Sequence, residues 1–118
     1  MNYKENYNRW LSEEKVSEDM KAELRAIANN EDEIKYRFFF FFNFGTAGLR
    51  GKMLAGTNAM NVYTVAHASQ GFANLINQEG EEAAKRGVAI AYDSRNNSVL
   101  FSKVAAEVFA ANGIKTYF

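Results

Sequence analysis

Apolar and polar positions change their rhythm along the chain at about residue 43. Before it, sparse apolar residues are set among charges at helical spacing. Trp10 and Leu11 supply the contact for an early short helix, and Met20, Leu24 and Ile27 recur at the i, i+4, i+7 interval of a second. Ser17 followed by Glu18 and Asp19 makes a helix start, because the hydroxyl can accept from a free N–H and the acids suit the positive end of the dipole. Asn29 and Asn30 stop that run. This stretch reads as helices lying on other structure, with no chemistry of its own. Beyond residue 44, Asn61 is placed to cap a helix in which Val65, Ala68, Phe72, Leu75 and Ile76 form one apolar stripe. Its solvated tail, "NQEGEEAAKRG", closes at Gly87. "VAIAY" (88–92) is the continuous apolar run of a strand buried on both faces. After the loop "DSRNNS", Asn97 or Ser98 caps a helix with Phe101, Val104, Val108 and Ala111 inward, and Gly113 takes the position just past its end. "IKTYF" (114–118) is a further strand. Strand, helix and strand with short links predict a parallel, right-handed βαβ unit.

Between the two halves lies "FFFFFNFGTAGLRGK" (38–52), in which the run Phe38–Phe42 precedes a loop with glycine at 45, 48 and 51. High β-propensity and little charge over residues 36–44 describe an aggregation-prone segment, with Arg37 as its one gatekeeper; the phenylalanines read as a lead-in, partly buried at most. The glycine loop is neither Gly-x-Gly-x-x-Gly nor a P-loop, since Met53 follows Gly51-Lys52. Spacing alone leaves a tight turn open. Arg50 changes the picture, because a planar guanidinium beside exposed backbone N–H groups receives phosphate or sugar hydroxyls well. In parallel sheets ligands collect at the carboxyl ends of strands, which directs attention to loops 45–51 and 93–98.

Composition narrows the class. The chain has 118 residues, the length of one domain, and its 47% hydrophobic content supports a core. Fourteen basic and fourteen acidic side chains cancel, so no general field draws in nucleic acid or an anionic membrane. The apolar runs are far shorter than the roughly eighteen residues that span a bilayer, and the polar N-terminus has no signal-peptide core. Absence of cysteine excludes a disulfide scaffold and zinc-thiolate sites and fits a reducing, cytoplasmic setting. His67, the single histidine, is expected on a helix surface, Lys52 as surface charge, and Glu79–Glu82 in a solvated loop. Asp93-Ser94-Arg95 fits either a turn with a local ion pair or a working strand end.

The segments "FGTAGLRG", "AGTNAMNVYTV", "ASQGFANLI", "RGVAIAYDSR" and "AANGIKTYF", in this order, resemble the first domain of the α-D-phosphohexomutases, most nearly the bacterial phosphoglucomutase/phosphomannomutase branch. The likeness runs from about residue 5 to the end. It implies an α/β fold: a three-layer α/β/α domain I with a mixed, largely parallel sheet over 44–118, preceded by an N-terminal helical extension over 1–43. It also implies a cytoplasmic four-domain enzyme that moves phosphate between C1 and C6 of a hexose phosphate through a phosphoserine, a hexose 1,6-bisphosphate and Mg²⁺. Neither the Thr-Ala-Ser-His-Asn-Pro phosphoserine loop nor the Asp-Gly-Asp-Gly-Asp-Arg metal loop occurs here, so the chain is expected to stop short of the catalytic serine and to be inactive alone. No catalytic residue or metal ligand is therefore assigned to it.

By the same resemblance Arg50 contacts the phosphosugar, Thr46 and Gly45 form the turn before it, and Asp93 and Arg95 support the floor of the cleft. Ala59 and Ala66 depart from the pattern, standing where arginine is expected. The implied partners are a hexose phosphate and the remaining domains of the parent enzyme, not nucleic acid or membrane. A non-enzymatic α/β binding module, or an engineered or partial chain, is the alternative.

Overall fold

The computed structural model describes residues 2–40, 52–94 and 97–117. They form two compact units, Met1–Asn61 and Val62–Phe118.

In the first unit three helices follow one another: α1 (Tyr3–Ser12), α2 (Glu18–Ala26) and α3 (Glu31–Phe38). Each begins with a side-chain cap. Asn2 accepts from the Lys4 amide, Ser17 from the Met20 amide as expected, and Asn30 from the Glu33 amide. Asn30, read above as a stop, is thus the start of the next helix. Nor do these helices merely lie on other structure: they enclose a core of their own, in which Leu24 and Phe38 are completely buried beside Tyr7, Ile34 and Ala55. The Tyr7 and Trp10 rings meet Phe38 edge-on at 5.8 and 5.7 Å, and the Tyr7 hydroxyl donates to the Leu24 carbonyl at 2.7 Å. At the α1–α3 contact Glu31 accepts from Tyr3 at 2.9 Å and pairs with Lys4 at 2.8 Å. The Lys4 hydrogen bond, then that of Tyr3, holds the Glu31 carboxyl below its ordinary range.

The phenylalanine run divides where α3 ends. Phe38 is 0% exposed, whereas Phe39 and Phe40 are 52% and 61% exposed. Helical phase explains the division: Ile34 and Phe38, four apart, share the inward face, and the next residue points away. The expectation of partial burial at most fails at Phe38. Arg37, read as a gatekeeper in an exposed run, is buried as well. Phe41 and Phe42 lie outside the described residues. Replacing Phe39 and Phe40 together by Asp and Glu is expected to raise soluble yield with little change in Tm, since the lost ring contacts are exposed ones. Unchanged yield in that variant would remove these two rings as the cause of association.

The second unit contains α4 (Val62–Gln78), α5 (Glu81–Arg86), β1 (Val88–Ala89), α6 (Ser98–Ala111) and β2 (Thr116–Tyr117). The strands are parallel, with Val88 opposite Thr116 and Ala89 opposite Tyr117, and α6 lies between them in sequence, which is the expected βαβ order. Val88 and Ile90 donate to the Lys115 and Tyr117 carbonyls, both at 2.7 Å. Both strands are shorter than read from 88–92 and 114–118, and β1 is not buried on both faces. Val88 and Ile90 pack inward on Ala73, Phe109 and Ile114, while Ala89 between them is exposed.

The helix stripes are corrected in the same way. On α4 the buried residues are Ser69 and Ala73, with Ile76 against the core, while Phe72 and Leu75 are about half exposed. On α6 they are Ser102 and Phe109, with Ala105 between, and Ala111 is exposed. Small residues at the contact let α4 approach α6, so the larger apolar neighbours are left at its margin; the Phe72 ring still meets Phe109 edge-on at 5.8 Å. Of the two expected caps, Asn97 holds the N-cap position of α6, in a left-handed conformation and without a side-chain capping bond. Gly113 ends α6 as expected: its amide donates to Ala110 and that of Ile114 to Phe109, the paired bonds of a Schellman turn. No helix among the described residues is long and apolar enough to cross a membrane.

Candidate functional site

Gly45, Thr46 and Arg50 lie outside the described residues, but the two stems of their loop, at Phe40 and Lys52, are defined. The last turn of α3 leaves carbonyls that no helical amide reaches. The segment after the loop folds back onto them. Asn58 donates its amide to the Arg37 carbonyl at 2.9 Å and its side chain to the Tyr36 carbonyl at 3.0 Å. The Thr57 hydroxyl donates to the Phe40 carbonyl at 2.9 Å, with the Arg37 carbonyl at 3.4 Å. This close approach requires Gly56: its φ is +129°, and a Cβ there would lie 2.8 Å from both the Cβ and the carbonyl oxygen of Arg37. At the Lys52 stem Met53 pairs with Met60, whose amide donates to the Lys52 carbonyl at 2.8 Å.

Beneath the stems sits Arg37. Its Nη1 is 2.7 Å from Glu23 and its Nε is 2.9 Å from Glu33. The same Glu23 oxygen accepts from the Ala55 amide at 2.7 Å, and Arg37 Nη1 reaches the Ala55 carbonyl at 3.4 Å. Asn61 closes the turn by donating to the Leu54 and Gly56 carbonyls. A guanidinium this buried persists because its charge and its donors are met together. Sequence reading missed this arrangement, although Glu33 and Arg37 stand at the i, i+4 spacing of a helical ion pair.

The second loop is tied at its base by the Asp93 amide, which donates to Ser98 Oγ at 3.0 Å. Asp93 is exposed, and Arg95 lies outside the described residues. His67 is exposed on α4 as expected, and Ala59 is buried. Lys52, read as plain surface charge, stands 5.6 Å over the Tyr36 ring. Beside it Asp32, Lys35, Tyr36, Phe39, Phe40 and Asn58 line a cleft of about 560 Å³. No group of three or more His, Cys, Asp or Glu that could hold a metal ion is present among the described residues.

The parallel βαβ unit is consistent with an α/β domain. The family model for phosphoglucomutase/phosphomannomutase, alpha/beta/alpha domain I, matches residues 42–118, and the chain belongs to that family. A probable phosphoribomutase of Schizosaccharomyces pombe is 49% identical over 75 residues, 64% of this chain and 13% of its own length. A phosphopentomutase of Pongo abelii is 34% identical over 92% of this chain and 19% of its own length. A phosphomannomutase of Mycoplasma pneumoniae is 33% identical over 92% of this chain and 20% of its own. The chain thus spans about a fifth or less of the length of these relatives. No solved structure matches it.

Proposed function

We propose that this chain is the first part of a phosphohexomutase, a helical extension (1–43) followed by a three-layer α/β/α domain I with a largely parallel sheet (44–118). The enzyme interconverts hexose 1-phosphate and 6-phosphate by giving a phosphoryl group from a phosphoserine to the sugar and taking the other one back. Arg50 binds the phosphosugar through its guanidinium, Gly45 and Thr46 shape the turn before it, and Asp93 and Arg95 support the cleft floor. The serine belongs to the remainder of domain I, the Mg²⁺ ligands and the remaining sugar contacts belong to other domains, and a hexose 1,6-bisphosphate serves as activator in the cytoplasm. The observation that carries this reading is the family match over 42–118, which includes the arginine-bearing loop. Relatives called phosphoribomutase and phosphopentomutase favour a second reading, a pentose phosphate as substrate.

The test is made in the full-length enzyme with glucose, mannose and ribose 1-phosphates. Loss of a charged, forked donor is worth about 1.5–3 kcal/mol. At about 1.4 kcal/mol per decade, Arg50→Ala should lower kcat/KM roughly ten- to two-hundredfold, and Arg50→Lys should recover only part of that. A folded Arg50→Ala enzyme with wild-type kcat/KM overturns the role of the loop. Preference for ribose 1-phosphate selects the second reading.

A further inference from the structure

We propose that Asn112 is a site of spontaneous covalent modification, deamidation at its junction with Gly113, and that Gln70 of α4 holds the reaction off. Asn112-Gly113 is the single Asn-Gly pair in the chain. The chemistry needs that neighbour. The Gly113 backbone nitrogen loses its proton and attacks Cγ of Asn112, and ammonia leaves to give a cyclic succinimide. Water then opens the ring at either carbonyl, to aspartate or to isoaspartate. Glycine favours ring closure because it has no Cβ to crowd the attacking nitrogen. In the folded chain Asn112 is only half-buried, so water reaches it, but both reacting groups are engaged elsewhere. The Gly113 amide donates to the Ala110 carbonyl at 3.0 Å, in the turn that ends α6. Asn112 Nδ2 donates to Gln70 Oε1 and to the Val108 carbonyl, both at 2.8 Å. Asn112 Oδ1 in turn accepts from Gln70 Nε2 at 3.0 Å. Two of the three side-chain bonds thus come from one residue of the facing helix, and the reaction waits until the α4–α6 contact opens at this end.

The product does not fit the place of the amide. Aspartate has no N–H for the Val108 carbonyl or for Gln70 Oε1, and turns a carboxylate oxygen towards them. Isoaspartate also adds a carbon to the main chain between α6 and β2, where the Ile114 and Lys115 amides donate to the Phe109 and Ala84 carbonyls. Conversion of Asn112 therefore loosens β2 from β1.

The experiment follows Asn112 by peptide mass mapping and isoaspartate assay while the full-length enzyme stands in mildly alkaline buffer, folded or in urea. In urea, conversion at Asn112 should outpace that at the other asparagines. In the folded enzyme it should be slower by about tenfold or more, because attack is confined to the open fraction. Gln70→Ala should raise the folded rate about five- to thirtyfold, the effect of losing two modest hydrogen bonds, and leave the rate in urea unchanged. Ile76→Val trims the core of the same unit without touching these bonds and should leave the folded rate as it is. Gly113→Ala, whose Cβ would meet nothing within 4 Å, should nearly abolish conversion in urea. In Asn112→Asp, hydrogen exchange at the Val88 and Ile90 amides should quicken, and unchanged protection there overturns the effect on the sheet. Unmodified Asn112 after incubation in urea overturns the site itself. Three results overturn the guard by Gln70: a folded wild type that converts as fast as in urea, a Gln70→Ala rate equal to wild type, or an Ile76→Val rate raised as far as that of Gln70→Ala.

Discussion

Phe38→Ala is expected to destabilise the first unit by about 3–5 kcal/mol, the cost of removing a large ring from a filled core. Phe38 is 0% exposed, and its ring is held edge-on by both Tyr7 and Trp10 of α1. Such aromatic pairs contribute beyond the area they bury, so α1 loses its main anchor along with the cavity's contacts. Whole domains are stable by only about 5–15 kcal/mol, which makes this loss a large share of the total. Phe39→Ala, one residue on, removes a ring that is half exposed and should cost less than about 1 kcal/mol. Urea unfolding of the two variants beside wild type makes the comparison. Equal costs would mean that Phe38 is not the centre of this core.

That contrast shows what the sequence could and could not carry. A run of identical residues has neither a two-residue nor a 3.6-residue period, so Phe38–Phe42 offers no phase by which to sort inward from outward. The phase comes from upstream, where Ile34 and the Glu33–Arg37 pair fix the faces of α3. The Ser17 cap, Leu24 in the core, the Gly113 turn and the βαβ order were legible because each is a local signal. The inner face of α4 was not, since its apolar stripe is wider than its contact and close approach selects Ser69 and Ala73 over Phe72 and Leu75. Burial of Arg37 was hidden for another reason: its partner Glu23 is fourteen residues away and Ala55 eighteen. For the site, Gly45, Thr46, Arg50 and Arg95 are legible through motif and resemblance but lie outside the described residues. The stems that carry the loop run largely through backbone carbonyls, which leave no mark in a pattern of side chains.

Gly87→Ala is expected to cost about 2–4 kcal/mol and to loosen the pairing of β1 with β2. Gly87 closes α5 with φ +82° and ψ −167°, a conformation essentially confined to glycine that costs other residues about 1–3 kcal/mol. A Cβ there would also lie 2.4 Å from the Lys115 carbonyl oxygen. That oxygen is the acceptor of the Val88 amide at 2.7 Å, so an added methyl group must push apart the two backbones that define the sheet. Losing the bond adds about 1 kcal/mol to the conformational cost. Gly80 separates the two contributions, because its φ is +102° but a Cβ would meet nothing within 4 Å. Gly80→Ala should therefore show the conformational cost alone and leave the strands paired. Urea unfolding measures the difference in stability, and hydrogen exchange at the Val88 and Ile90 amides reads the pairing directly. Gly87→Ala should speed exchange at both amides, whereas Gly80→Ala should not. Equal stabilities with unchanged protection at Val88 would show that β1 does not depend on the bare backbone at Gly87.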